Sequence, residues 1–283
     1  MRIKSLLLAA VALATAATPA MAHRQWLLPS ATIFSGTDAW VTVDGAASND
    51  LFFPDHQPLR LDGVKAWAPD GTEAKIENGA TGRHRSMFDV KLDKPGTWKI
   101  GTAQESVSGT FKVDGVEWRV GGRRGPPPPP GAPAQPNSVA GIADVPANAT
   151  DLQITQSASR NEIYVTTGEP TDTIFQPTNK GLEMVPVTHP SELVADEPAR
   201  FKFLVDGKPA ANLKISVLPG GKRYRDDDGL IEVVTGADGV AQVNWSQAGM
   251  FWLNTTYSDD KPTIPRATAR RLSFTTTLEV MAP

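Results

Sequence analysis

Histidine is the residue type in this sequence best suited to metal chemistry, because the chain contains no cysteine. Any metal site must therefore use imidazole, carboxylate, amine, thioether or backbone oxygen donors, never thiolate. The chain has four histidines, at positions 23, 56, 84 and 189. The value of each one as a ligand depends on the residues around it.

His23 stands directly after a segment with the three parts of a secretory signal. Two basic residues lie near the start, residues 6–17 form an apolar stretch, and A-M-A at 20–22 is a small-residue cleavage site. We therefore predict that residues 1–22 are a signal peptide, that the protein is exported, and that the mature chain begins at His23.

A terminal histidine is a candidate metal ligand, because its α-amine and its ring Nδ1 can bind the same ion. The amine has a pKa of about 7.7–8.0, so a metal ion can displace its proton near neutral pH. The sequence therefore predicts His23 as a ligand. The alternative is that a histidine follows the cleavage site by chance.

His56 lies in a predicted loop, because Pro54 and Pro58 flank it closely. The adjacent Asp55 is expected either to bind the same ion or to orient the His56 ring from behind. The alternative for this pair is an exposed turn in which Asp55 caps the backbone.

His189 lies at the entrance to the second half of the chain, and Glu183 is close to it in sequence. Positions beside a domain seam often contribute to ligand sites, so both residues are candidate ligands, with a surface linker histidine as the alternative. His84 is flanked by Arg83 and Arg85, two cations that disfavour a bound metal ion. We expect His84 to be exposed and without a role.

The sequence lacks familiar hydrolytic motifs. It contains neither the G-x-S-x-G nucleophile elbow nor the H-E-x-x-H motif of zinc proteases. A terminal histidine with a second histidine also occurs in copper oxidases that use a histidine brace, and such an oxidase is one alternative. Our prediction is a protein without enzymatic activity.

Charge and hydropathy exclude two classes of partner. Removing Arg2 and Lys4 with the signal peptide changes the formal net charge from −3 to −5, whereas a nucleic-acid partner requires a basic face. After the signal peptide, no segment approaches the roughly 20 apolar residues that span a bilayer. We expect no nucleic-acid binding and no membrane insertion of the mature chain.

The elements that must position these residues are predicted to be β-strands. Short runs rich in Val, Ile, Thr, Phe and Trp alternate with Gly, Pro, Asp and Asn, which is typical of β-sandwiches. Examples are the predicted strands 97–102, 108–113, 151–155 and 162–166. The fold class is therefore predicted to be all-β.

The chain divides into two predicted immunoglobulin-like β-sandwich domains, at 23–120 and 186–283. A Pro/Gly-rich segment at 121–138, with five consecutive prolines, is predicted to be a linker or loop between them. Residues 139–185 are expected either to complete the first domain or to form bridging strands to the second.

Four segments resemble a bacterial exported family of unknown function that is grouped with the periplasmic component of nickel and cobalt uptake systems. The first is A-H-x-x-W-L-L-P at 22–29, at the cleavage point. The others are L-V-D-G-K-P at 204–209, T-G-A-D-G at 235–239 and A-G-M-F-W-L at 248–253, which are similar to the family's carboxy-terminal immunoglobulin-like module.

The resemblance implies a periplasmic protein that works beside a membrane metal importer or another envelope protein. It implies a divalent transition metal, with nickel or cobalt favoured and iron or copper possible. The family's terminal histidine corresponds to His23, whereas His56 and His189 are carried over as candidate ligands. A metal-free envelope scaffold that binds other proteins is a second alternative.

Overall fold

The computed structural model describes residues 23–36, 38–121 and 137–283, and within these ranges it contains β-strands and short 3-10 helices without any α-helix. The prediction of an all-β fold built from packed β-sandwiches is confirmed. Among the described residues, no helix has both the length and the apolar character that crossing a membrane requires.

Many of the strands are short, and two are unusually long. In chain order they are β1 (Arg24–Pro29), β2 (Ile33–Phe34), β3 (Ala39–Ser48), β4 (Gln57–Pro58), β5 (Val64–Trp67), β6 (Glu73–Ala74), β7 (Glu77–Thr81), β8 (Ser86–Leu92), β9 (Gly96–Val113), β10 (Val116–Val120), β11 (Ser138–Val139), β12 (Thr150–Thr167), β13 (Leu182–Pro186), β14 (Pro198–Val205), β15 (Lys208–Pro209), β16 (Lys214–Pro219), β17 (Ile231–Val234), β18 (Val240–Asn244), β19 (Gly249–Asp259) and β20 (Ala269–Val280). The 3-10 helices span Leu61–Gly63, Ile142–Asp144, Thr173–Phe175, Pro190–Glu192 and Lys222–Tyr224.

The strands form three sheets stacked in layers. The central sheet has the order β11-β10-β9-β12-β20-β19-β16-β17, with β5 also paired to β9. One outer sheet has the order β1-β3-β8-β7 with β4 added beside β3, and the other contains β13, β14, β15 and β18.

The central strand β12 contributes side chains to cores on both of its faces. Ile163 and Val165 pack with Val41 and Phe88 of the first outer sheet. Tyr164, between them, packs in the core that includes Phe201 of the other outer sheet. Because successive side chains of a strand point to opposite faces, the two outer sheets cover opposite sides of the central sheet.

The long strands β9 and β12 pair with each other over most of their length, from Thr167 opposite Gly96 to Thr150 opposite Lys112. The sequence analysis divided each of them into two strands. The polar middle sections, which resemble loops in sequence, are paired strand in the structure, with Ser157 opposite Ser106.

The Pro/Gly-rich segment begins and ends in the same sheet. Residues 122–136 lie outside the described ranges, but β10 before them and β11 after them are neighbours in parallel, with Arg119 opposite Ser138. The two sandwiches are connected by β12, which pairs with β9 on one edge and with β20 of the second half on the other.

The close approach of β9 and β12 requires glycine at position 109. An added Cβ would overlap the carbonyl oxygen of Gln153 and lie 2.7 Å from Ile154 Cα. We therefore expect Gly109→Ala to lower the free energy of unfolding by about 1–3 kcal/mol, the usual effect of overpacking. Urea denaturation followed by tryptophan fluorescence measures this change.

The matched control is Gly63→Ala. A Cβ at Gly63 meets nothing within 4 Å, and its φ is not in the left-handed region, so this variant should be as stable as the parent or slightly more stable. Equal stability of Gly109→Ala and Gly63→Ala would contradict the close β9–β12 contact.

Candidate metal site at the N-terminus

The structure brings His23 and His56 into direct contact. Their ring centroids are 3.5 Å apart and their ring planes differ by 4°, so the two imidazoles are stacked. His23 is exposed and His56 is half-buried. In the described part of the chain, neither ring has a hydrogen-bond partner, and the contact of His84 with His56 is to the backbone carbonyl and not to the ring.

Strand pairing explains why two histidines so far apart in sequence meet. The strands β1 and β4 pair with β3 on opposite sides, and Gln25 and Gln57 both lie opposite Ala47. His23 and His56 come shortly before these two glutamines, so both reach the same end of β3.

The strand β1, which directly follows His23, is held in place by two tryptophans. Trp26 is 1% exposed, and its Nε1 donates to Ser48 Oγ at 2.7 Å. Trp252, from the second sandwich, donates from Nε1 to the carbonyl oxygen of Gln25 at 3.0 Å. These contacts fix the strand that carries His23, although the His23 ring itself is exposed.

Asp55 stabilises the loop that carries His56. Its Oδ1 accepts a hydrogen bond from the Asn49 backbone N–H at 2.9 Å, and its Oδ2 accepts one from Asn49 Nδ2 at 3.3 Å. Desolvation acts to raise the pKa of Asp55, but these hydrogen bonds outweigh it and leave the pKa below its ordinary value. The Asp55 carboxylate therefore holds the loop backbone, and its hydrogen bonds go to Asn49 rather than to the His56 ring.

His84 also contacts this loop, although the sequence analysis expected no role for it. Its Nδ1 lies 3.1 Å from the carbonyl oxygen of His56. A carbonyl oxygen only accepts hydrogen bonds, so Nδ1 carries the proton and donates it. No sequence signal indicated this contact, because it depends on how β7 and β8 place the loop 82–85 against the loop before β4.

His189 is engaged elsewhere in the protein. The backbone N–H of Ser191 donates to His189 Nδ1 at 3.1 Å, so the neutral ring carries its proton on Nε2, which donates to Thr97 Oγ1 at 3.0 Å. The ring also packs edge-on against Phe175. Both nitrogens of His189 are therefore used within the protein.

Glu183 is buried and fully hydrogen-bonded. It is 5% exposed, and its Oε1 accepts from Thr178 N at 3.0 Å and from Thr178 Oγ1 at 2.7 Å, while its Oε2 accepts from Asn179 N at 2.8 Å. Arg160 lies 3.5 Å from Oε1. Glu183 therefore organises the turn at 178–179.

The five predicted ligands are not gathered into one centre. Within the ranges that the structure describes, no group of three His, Cys, Asp or Glu side chains is arranged to hold a metal ion. His23 and His56 are together, with Asp55 supporting the His56 loop, whereas His189 and Glu183 have the structural contacts described above.

The surroundings of the histidine pair come from both sandwiches. The Arg24 guanidinium lies 5.9 Å from the centre of the Trp252 ring. The Arg223 guanidinium lies 3.6 Å from the centre of the Phe53 ring, and its Nε is 3.8 Å from Asp50 Oδ2. The loop that carries His56 is thereby fastened to the second sandwich.

The class of protein defined by this structure is a layered β-sandwich protein in which an exposed histidine before the first strand stacks on a half-buried histidine before β4. The chain belongs to the family described as "Domain of unknown function (DUF4198)", whose model matches residues 20–259. No functionally curated protein matches the chain.

Several solved structures show distant likeness. The D0-D1 domain of Intimin is 9% identical, with 90% of this chain and 97% of that chain covered and a TM-score of 0.21. Trypsin-activated alpha-2-macroglobulin from Escherichia coli is 12% identical, with 91% and 16% covered and a TM-score of 0.23. The human OSCAR ligand-binding domain is 11% identical, with 92% and 100% covered and a TM-score of 0.20. The pairing of the strands, and not these low TM-scores, defines the fold.

The structural role of His189 makes protein stability depend on pH. Burial lowers the pKa of His189 and outweighs the opposing effect of Asp172 and Glu192, so the unfolded chain binds this proton more readily than the native protein. The stabilisation is complete above the unfolded-state pKa of about 6.5 and is lost as the pH falls through the lowered native pKa.

We expect His189→Gln to be less stable than the parent at about pH 7.5 but to lose less stability between about pH 7.5 and pH 5. Urea denaturation at the two pH values tests this, with the exposed His23→Gln as control. An unchanged pH dependence in His189→Gln would contradict a half-buried, neutral His189.

Proposed function

We propose that this protein is an exported, periplasmic protein that binds a divalent transition metal ion at its mature N-terminus and assists uptake of that metal. The observation that carries the proposal is the direct contact between His23 and His56, two histidines that precede separate strands and whose ring nitrogens make no hydrogen bond within the described residues. Cargo binding, rather than catalysis, is the proposed role.

The donor set fits such an ion. After cleavage of the signal peptide, His23 would offer its α-amine and its ring Nδ1, and His56 would offer one further imidazole nitrogen. Nitrogen donors without sulfur suit nickel, cobalt and copper. Affinity alone favours copper in the series of divalent ions, so the proposal of nickel or cobalt as cargo is based on the family resemblance.

The stacked geometry sets a condition for binding. A metal ion lies near the plane of each imidazole that binds it, along the nitrogen lone pair. Because the His23 and His56 planes differ by only 4°, an ion cannot lie in both planes until one ring turns. The exposed His23 ring is free to turn, since the anchoring contacts are made by Trp26 and by the Gln25 backbone.

Exposure also supports a cargo role. Structural zinc sites are closed by four protein ligands, whereas His23 is exposed and leaves the site open to solvent and to a partner. A membrane metal importer or another envelope protein is the proposed recipient.

The test is calorimetric titration of Ni²⁺, Co²⁺, Cu²⁺ and Zn²⁺ into protein exported by a bacterial host, with His23 verified as the first residue by intact mass. We expect a Kd below about 1 μM for at least one ion, a binding free energy of about −8 kcal/mol or stronger. One added glycine before His23 should weaken this binding by about tenfold or more, because it separates the amine from the chelate.

Two variants locate the binding to the pair. His56→Ala should also weaken binding by about tenfold or more, the effect expected when a ligand of this kind is lost. The exposed neighbour Gln57→Ala is the matched control and should leave the Kd unchanged. Absence of binding in the mature form would contradict the proposal and favour a metal-free scaffold, and copper-dependent peroxide production would instead indicate a copper oxidase.

A further inference from the structure

Three of the four histidines of this chain meet at one end of β3. The His23 ring stacks on the His56 ring, and the His84 ring donates a hydrogen bond to the His56 backbone. Only His189 lies elsewhere, with its ring between Thr97 and Ser191.

Strand order accounts for the position of His84. The strand β8 pairs with β3 as far as Ser86 opposite Gly45, and β4 continues along the same side of β3 with Pro58 opposite Ala46. The loop before β8 therefore abuts the loop before β4. Ser86 Oγ, at the start of β8, donates to the carbonyl oxygen of Leu59, directly after β4, at 2.6 Å, which fastens these two strands to each other.

The hydrogen bond of His84 has the pattern of a metal-binding histidine. Histidines that bind metals usually donate one ring N–H to a carbonyl or carboxylate, which fixes the tautomer and leaves the other nitrogen for the ion. His84 donates from Nδ1 to the His56 carbonyl at 3.1 Å, and its Nε2 has no hydrogen-bond partner among the described residues. His189 differs, because both of its ring nitrogens are hydrogen-bonded.

The charges beside His84 are partly neutralised. Arg85, one of its two cationic neighbours, makes an ion pair with Asp44, with NH1 and Oδ2 3.1 Å apart. Arg83 is exposed. The electrostatic repulsion between these arginines and a bound cation is therefore weaker than the sequence alone indicates.

From this geometry we propose that His84, rather than His189, is the third imidazole of the metal site, and that it binds the ion through Nε2. The inference rests on the proposed function and names a further ligand of the same site. Among the described residues no three His, Cys, Asp or Glu side chains are arranged to hold an ion as they stand, so ion binding requires the His23 ring to turn out of its stack with His56. The ion is then held by His23, His56 and His84.

Zinc is the probe, because Zn²⁺ is diamagnetic and binds imidazole. Long-range ¹H–¹⁵N spectra of the histidine rings are recorded on the mature protein before and after addition of Zn²⁺. We expect one ring nitrogen of His23, one of His56 and Nε2 of His84 to shift on binding, while both nitrogens of His189 stay unchanged.

His84→Asn separates a ligand from a positioning residue. The asparagine amide can still donate to the His56 carbonyl but offers no imidazole nitrogen. We expect both His84→Asn and His84→Ala to weaken Zn²⁺ binding by about tenfold or more. Arg83→Gln, a change at the exposed neighbour, should leave the Kd unchanged or slightly tighter, and thermal unfolding of each variant verifies the fold.

The outcomes distinguish the two proposals. If Zn²⁺ shifts the nitrogens of His23 and His56 only, or if His84→Asn keeps the parental Kd, the third-ligand role is overturned while the proposed function stands. If the parent protein binds none of the four metals tested by calorimetry, both proposals are overturned together.

Discussion

The strand β12 is hydrogen-bonded along both edges, antiparallel to β9 and parallel to β20, and the three-layer arrangement depends on this pairing. Because both faces of β12 are covered, its neighbouring residues Ile163 and Tyr164 belong to different cores. One strand thus serves two sandwiches. A separation of the two halves would break the backbone pairing of β12 with β20 and uncover apolar side chains of both cores, and burial of such side chains is the main favourable term in folding.

The same layering determines the position of β1. The strand β1 belongs to the first outer sheet, yet Trp252 of the central strand β19 donates to its backbone at Gln25. Thr32, a few residues further on, donates from its N–H and from its hydroxyl to Glu279 of β20, each at 2.7 Å. The segment from β1 to Thr32 is therefore fastened to strands near the far end of the chain, and His23, directly before β1, is placed by contacts between residues distant in sequence.

A sequence pattern reports on residues that are close in the chain, whereas many contacts of this fold join distant residues. Alternating apolar residues and turn signals are local, and they correctly predicted an all-β fold. The polar middle sections of β9 and β12 resemble loops between separate strands, because a local pattern contains no information about the pairing of Ser106 with Ser157. The same holds for the histidines. The sequence identified His23 and His56 as candidates, but the hydrogen bonds from His189 Nε2 to Thr97 and from His84 Nδ1 to the His56 carbonyl join residues distant in the chain.

What distinguishes the histidines is whether their ring nitrogens are hydrogen-bonded, not their burial. His56, His84 and His189 are all half-buried, yet in the described residues only His189 has both ring nitrogens bonded. An imidazole whose nitrogens already have partners must break those contacts before it binds an ion. An imidazole with a free nitrogen, whose ring is held by its other nitrogen, is already ordered by folding and loses less entropy when it binds the ion. The rigid part of the candidate site is therefore the β3 end with His56 and His84. The movable part is the exposed ring of His23, and this division suits the proposed role, in which the site takes up an ion and releases it.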